Sequence, residues 1–276
     1  MHKNKKCDDI FERTENIDLI MIQFLSLFVI KKKTPHIIIP LITFYSRITP
    51  FVNLVKDNYI SCNNRKYNKF QNNFDNNKYS DTVCILISEN INCDLLTFLT
   101  RNYKEMSLKL WKVIFFQIIS VLAVIQKKYP TFRHNKLNLN NIYVCDVEHK
   151  SPAFYKYHLN EFIYFVIPYI GIQIKIANFH LSCISKIINN NKVQTKNISL
   201  TQNRYYDLHY FFNNLSKQSF FNNMPSEIKK FVNRTVPNQY KTGANVNIKG
   251  RLLTDDEFTN PYDVLRFNSL FDEFRY

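Results

Sequence analysis

From Ser107 to Val144 the chain runs through a long apolar helix pattern, a polar loop and a short apolar strand pattern. No other stretch restricts the fold as much. Trp111, Ile114, Phe115, Ile118, Leu122 and Ile125 recur at helical spacing and define one core stripe. Ser107 suits the N-cap, where a hydroxyl accepts a free backbone N–H of the first turn. Tyr129-Pro130 ends the helix, because the residue before proline avoids helical backbone. The loop Phe132-Arg133-His134-Asn135-Lys136-Leu137-Asn138-Leu139-Asn140-Asn141 follows, and Ile142-Tyr143-Val144 reads as a strand. With 276 residues, the chain has length for one two-lobed domain or two small ones.

Composition removes several classes of function. Hydrophobic residues make up 45% of the chain, too many for a disordered polymer. Only three glycines occur, Gly171, Gly243 and Gly250, so no glycine-rich phosphate cradle can be written in this sequence. The net charge is +15. The lysines are dispersed among asparagines without a dense basic block, which points to a solvated surface with at most non-specific nucleic-acid binding. The six cysteines lack C-x-x-C and zinc-finger spacing and read as free thiols of a reducing compartment. The start, Met1-His2-Lys3-Asn4-Lys5-Lys6, has no signal-type apolar segment behind it, and the apolar run from Phe162 to Ile172 is too short for a bilayer. The expectation is a cytoplasmic protein without a membrane partner.

Read in order, residues 1–14 form a polar basic arm expected to be disordered. A helix begins near Glu15, with Ile17, Ile20, Met21, Phe24, Leu25 and Phe28 as its apolar stripe, and ends at Lys31-Lys32-Lys33 and Thr34-Pro35. Ile37 to Ile42 reads as a buried strand, residues 53–80 as an Asn-rich flexible loop, and Thr82 to Glu89 as a second strand. A short helix is expected around Asp94 to Leu99. Beyond the central stretch, residues 145–170 read as an excursion and Ile172-Gln173-Ile174-Lys175-Ile176 as an alternating strand. Residues 182–203 read as a loop. Helices are expected over Tyr205–Leu215, over 225–236 and near Asp263–Phe274. A few strands followed by mostly helices indicate the α+β class.

The loop after the long helix resembles the catalytic loop of a protein kinase, H-R-D-L-x-x-x-N. His134, Leu137 and Asn141 stand at its His, Leu and Asn, and Lys136 stands where the base Asp belongs. Ile174-Lys175-Ile176-Ala177-Asn178-Phe179-His180-Leu181-Ser182 resembles the K-I-x-D-F-G-L-S strand and metal-binding turn. Tyr205-Tyr206-Asp207-Leu208-His209 resembles the later helix whose Asp holds the catalytic-loop backbone. With Thr34-Pro35-His36-Ile37 and Pro261-Tyr262-Asp263-Val264-Leu265, the spelling is similar to serine/threonine protein kinases of large DNA viruses. The resemblance covers roughly residues 15–274.

The resemblance implies a protein-kinase-like fold with a truncated N-terminal lobe and a mainly helical C-terminal lobe. It divides the chain into the arm 1–14, a remnant N-lobe 15–92 containing the loop 53–80, and a C-lobe 93–276. It makes His134 and Asp207 structural and Lys136 a non-functional base, since a lysine ammonium, which ordinarily titrates at about 10.4, accepts no proton at neutral pH. Asn141 and Asn178 occupy the Mg²⁺ and ATP positions, where a neutral amide is a poor substitute for a carboxylate. His180 replaces the glycine whose φ freedom the motif normally uses. Asp18 stands at the position of the first-helix Glu, whose Lys partner would fall near Lys3, Lys5 or Lys6 without an apolar strand around it. No cofactor is expected, with ATP and Mg²⁺ binding only at low affinity. The leading reading is a pseudokinase that acts by binding a protein, in the host-cell cytoplasm or the virion if viral. A weak or partner-completed ATP-dependent kinase, a basic nucleic-acid-binding protein and a non-functional gene fragment stay open as alternatives.

Overall fold

The computed structural model describes residues 16–147, 154–190, 193 and 202–276. The arm 1–14 and its lysines lie outside the described residues. The chain divides into a larger unit, residues 1–39 with 90–276, and a smaller unit, residues 40–89.

Helix α1 (Ile17–Ile30) begins the larger unit and buries Ile17, Met21, Leu25 and Phe28 along one face, as the stripe requires. Lys32 then turns with φ 53°, and the N–H groups of Lys31, Lys32 and Lys33 return to carbonyls of the last turn.

In the smaller unit, strands β1 (Pro40–Arg47) and β2 (Thr82–Ser88) pair antiparallel, with Thr43 opposite Leu86 and Tyr45 opposite Cys84. The buried strand expected from Ile37 to Ile42 is split. Ile37 and Ile38 are buried in the larger unit, whereas Leu41, Ile42 and Tyr45 of β1 are 65%, 53% and 71% exposed. The loop expected over 53–80 is also corrected, because it contains helix α2 (Arg65–Asp75). Asn64 caps this helix, its Oδ1 accepting the N–H groups of Lys66 and Tyr67 at 3.1 and 3.1 Å. The Tyr67 hydroxyl donates to the Phe51 carbonyl at 2.8 Å and accepts the Leu54 N–H at 2.9 Å. The Phe70 ring lies 5.7 Å from Tyr67 and 5.5 Å from Tyr79. A dense asparagine background hides an aromatic face at helical spacing. Asn64→Ala should lower the stability of this unit by about 1 kcal/mol, read as earlier amide exchange in α2.

The larger unit continues with β3 (Cys93–Asp94), α3 (Leu95–Asn102) and α4 (Leu108–Lys128). Asp94 caps α3 through the Thr97 N–H at 2.8 Å, and Ser107 caps α4 through the Leu110 N–H at 3.2 Å. Helix α4 is buried nearly all round: Val113, Phe116, Ile119 and Val121 join the expected stripe in the core. By length and apolarity α4 matches a membrane span, yet 72% of that window is buried inside the protein, which makes it the core helix. The apolar run Phe162–Ile172, by contrast, is divided between two strands.

Strands β4 (Phe132–Arg133), β5 (Ile142–Asp146), β6 (Phe154–His158), β7 (Tyr164–Pro168), β8 (Ile172–Ile176) and β9 (Cys183–Ile184) follow. β3, β5 and β8 form one antiparallel sheet in that order, β4 pairs with β9, and β6 pairs with β7. The expected excursion over 145–170 therefore contains a hairpin. Beside β8, the Ile38 N–H donates to the Ile176 carbonyl at 3.1 Å and the Ile176 N–H donates to the His36 carbonyl at 2.9 Å. Helices α5 (Tyr205–Ser216), α6 (Ser226–Thr235) and α7 (Pro261–Phe267) complete the unit. Phe115 of α4 packs edge-on against Phe211 and Phe212 of α5, with ring centroids 6.3 and 5.0 Å apart, and lies 5.8 Å from Phe231 of α6. Helices and antiparallel strands are combined as the α+β class requires.

Candidate functional site

Two short pairings hold the loop after α4 in place. β4 enters it and is tied to β9; β5 leaves it and is tied to β8. The segment 177–182 links β8 to β9, so it runs alongside the loop. The Ala177 N–H donates to the Asn141 carbonyl at 3.3 Å, and the Ser182 hydroxyl donates to the His134 carbonyl at 3.2 Å.

Asp207, in the first turn of α5, anchors the loop backbone. Its Oδ2 accepts the His134 N–H at 2.6 Å and its Oδ1 accepts the Asn135 N–H at 2.9 Å. Asn203 caps α5 from outside, its Oδ1 accepting the N–H groups of Tyr205 and Tyr206 at 3.0 and 3.1 Å. Burial pushes the Asp207 carboxyl up to about 6, against the pull of these N–H groups and of the Arg133 and Arg251 guanidiniums. Both arginines are buried, and each lies over a tyrosine of α5: Arg133 4.7 Å from the Tyr206 ring and Arg251 5.2 Å from the Tyr210 ring. Sequence reading missed this arginine pair, because Arg251 sits in an irregular stretch with no periodicity to flag it.

His134 is fully buried. Its Nε2 donates to the Ala177 carbonyl at 3.0 Å and its ring packs 5.2 Å from Phe179. Burial lowers its pKa to about 4, so the ring is neutral at physiological pH. Asn135 turns the chain with φ 59°, a conformation asparagine tolerates, and donates from Nδ2 to the Leu181 carbonyl at 2.9 Å.

The remaining candidates meet at one point. The Lys136 ammonium lies 3.4 Å from His180 Nε2. His180 Nδ1 lies 2.7 Å from Asn178 Oδ1. Asn178 Nδ2 donates to Asn141 Oδ1 at 2.6 Å, and Asn141 Nδ2 donates to the Lys136 carbonyl at 2.7 Å. The expected cost of replacing the motif glycine by His180 is not incurred. The left-handed turn falls on Asn178, with φ 68°, and His180 is absent from the positive-φ residues.

Asp18 of α1 also reaches this segment, its Oδ1 accepting the Phe179 N–H at 2.5 Å. It serves as a backbone acceptor for the turn after β8. Burial raises its carboxyl above the ordinary carboxylate value, and the Phe179 N–H opposes that shift.

These residues do not suit Mg²⁺, which takes hard oxygen ligands in near-octahedral array and favours carboxylates. Asn141 and Asn178 offer neutral amide oxygens, both already accepting hydrogen bonds inside the cluster. The charged member of the cluster is the Lys136 ammonium. No group of three or more His, Cys, Asp or Glu side chains arranged to hold a metal occurs among the described residues.

No family model matches the chain. The protein named "Putative serine/threonine-protein kinase R400" of Acanthamoeba polyphaga mimivirus is 41% identical over 282 residues, covering 96% of this chain and 60% of that protein. "Uncharacterized protein R402" of the same virus is 27% identical over 248 residues, covering 83% of this chain and 25% of that protein. The chain thus spans less than two thirds of the length of either relative. Kinship along nearly its whole length, together with the loop, the Asn178-Phe179 turn and the Asp207 anchor, supports membership of the protein-kinase superfamily.

Proposed function

We propose that the chain adopts a protein-kinase fold and acts as a pseudokinase, by binding another protein rather than by transferring phosphate. One observation carries this reading: the base position holds Lys136, a cation hydrogen-bonded to His180. Phosphoryl transfer needs a group that takes or orients the hydroxyl proton, and metal charge against the phosphates. An ammonium does neither. Asn178 supplies an amide where the family places a carboxylate. The groups that shape the loop, His134, Asn141 and Asp207, keep their identities, which suits a retained surface for a protein partner. The site of action we propose is the host-cell cytoplasm or the virion.

Purified protein incubated with labelled ATP and generic protein substrates should transfer no more phosphate than the Lys136→Ala variant. Transfer that this variant abolishes would overturn the reading.

A second reading is a weak or partner-completed ATP-dependent kinase, in keeping with the name of the relative that is 41% identical to this chain. It predicts that ATP with Mg²⁺ raises the melting temperature. Ligand at 100 times its dissociation constant contributes roughly 2.7 kcal/mol, a shift of several degrees. An unchanged melting temperature argues against nucleotide binding by this chain on its own.

A further inference from the structure

Helix α1 ends in a Schellman motif whose two defining positions carry unusual residues. The Lys33 N–H returns to the Phe28 carbonyl at 2.8 Å and the Lys32 N–H to the Val29 carbonyl at 2.9 Å, with Lys32 left-handed at φ 53°. The left-handed position favours glycine, and the residue after it favours an apolar side chain. Here both are lysine, they follow Lys31, and all three are exposed. Elsewhere among the described residues the left-handed turns fall on glycine or asparagine, Lys186 excepted. A lysine near a helix C-terminus complements the dipole, but the dipole does not call for it at the one strained position.

The end of α4 meets this corner. The Lys128 ammonium lies 5.9 Å from the Phe28 ring and 5.3 Å from the Tyr129 ring, and Tyr129 packs 6.1 Å from Phe28. Lys127 and Lys128 are exposed. Among the described residues, no ion pair reaches Lys31, Lys32, Lys33, Lys127 or Lys128. Beside them α1 exposes two aliphatic side chains, Leu27 at 44% and Ile30 at 66%, which with Lys31 follow the i, i+3, i+4 spacing of one helix face. The face that holds α1 in the core is a different one, through Met21, Leu25 and Phe28. We infer that the corner where α1 and α4 end is the docking site for an acidic segment of a partner protein that also carries an apolar side chain. This rests on the reading that the chain acts by binding a protein, and it names the chemistry of that partner. Carboxylates meet lysines that have no internal counter-charge, and the apolar side chain covers Leu27 and Ile30. Nucleic acid would leave the aliphatic pair uncovered, and two aliphatic side chains make a narrow face for a bilayer.

The probe is a fluorescent peptide of about 12 residues, with leucine at helical spacing and glutamate elsewhere, titrated with the full chain and read by anisotropy. It should bind saturably, and exchanging its leucines for serine should weaken it several-fold. Lys31→Gln/Lys32→Gln/Lys33→Gln should weaken the leucine peptide about tenfold. Lys66→Gln/Lys69→Gln/Lys249→Gln removes the same charge from exposed sites elsewhere and should weaken it by less than about twofold. Ile30→Ser should weaken the leucine peptide and leave the serine peptide unchanged. Lys32→Gly should raise the melting temperature and still weaken the leucine peptide, because it relieves the left-handed turn and removes a charge. No saturable binding, equal losses in the two triple variants, or a Lys32→Gly variant that binds like wild type overturns the inference. Tighter binding to phosphatidylserine vesicles or to a duplex oligonucleotide, with the same dependence on the variants, also overturns it. These results separate from the functional reading. Phosphate transfer with peptide binding intact removes the pseudokinase reading alone, and absent peptide binding without transfer removes this inference alone.

Discussion

Lowering the pH from 7 to 5 should weaken the folded state by about 4 kcal/mol, through three buried histidines that are neutral when folded and charged when unfolded. His36 is fully buried. Its Nδ1 donates to the Ile174 carbonyl at 2.8 Å, and its Nε2 accepts from the Tyr157 hydroxyl at 2.9 Å. Burial lowers its pKa to about 3, with the Ile174 carbonyl opposing and Lys175 assisting. Burial likewise lowers His134 to about 4 and His209, which donates from Nε2 to the Tyr240 carbonyl at 2.6 Å, to about 4. The ordinary histidine value is about 6.5. A depressed folded pKa means that the unfolded chain binds the proton first. Each contribution is therefore fully present above about 6.5 and is lost as the pH falls toward 3 to 4. At pH 5 that loss is roughly 2 kcal/mol per histidine, or about 6 kcal/mol for the three.

Asp207 opposes this. Its folded pKa of about 6 lies above the ordinary carboxylate value, so the folded protein binds that proton first and acid favours folding. By pH 5 it returns roughly 1 kcal/mol, and Asp18, raised in the same direction, adds to it. The histidines win because three of them titrate across the same window. Against a typical total stability of 5–15 kcal/mol, a net loss of about 4 is large. Urea unfolding at pH 7, 6 and 5 should show the midpoint falling steadily with unchanged slope, and His209→Gln should remove about a third of the histidine contribution. A midpoint that is flat or rises toward pH 5 contradicts the balance.

The helical stripe from Trp111 to Ile125 can be read from sequence because its period is strong and a serine and a Tyr-Pro pair mark its ends. Lys136, Asn141, Asn178, His180 and Asp207 are legible as positions, since motif spacing survives loss of chemistry. What they do to one another is not. The network through His180 depends on an imidazole reaching across from another segment, and spacing alone does not give direction. Asp18 shows the same limit: the stripe places it on α1, yet its acceptor role toward Phe179 spans 161 residues of sequence. Helix α2 is hidden because asparagine is a poor helix former, and capping by Asn64 with the Tyr67 hydroxyl bonds outweighs that preference. The hairpin β6–β7 is hidden because Tyr and Phe fit a strand or a loop equally well without clear alternation.

Asp207→Ala should destabilise the protein by about 3–5 kcal/mol, the largest loss expected from truncating a single polar side chain of the site. The substitution removes the acceptor of two backbone N–H groups, those of His134 and Asn135, and both residues are buried. It also removes the carboxylate that faces the buried Arg133 and Arg251. Asp207→Asn separates these effects. The raised pKa of Asp207 shows that its surroundings already disfavour the charge, so an uncharged amide is spared that desolvation. Asparagine keeps one acceptor oxygen but turns a donor toward the second N–H. Its expected loss is about 1–2 kcal/mol, clearly less than alanine's. If charge pairing with the arginines dominated instead, asparagine and alanine would be equally damaging. Urea midpoints of the two variants at pH 7 decide between these outcomes. Amide exchange at His134 and Asn135 should speed up in both, and more in Asp207→Ala. An alanine variant within about 1 kcal/mol of wild type would mean that β4–β9 pairing alone holds the loop, and that the anchor on α5 is dispensable.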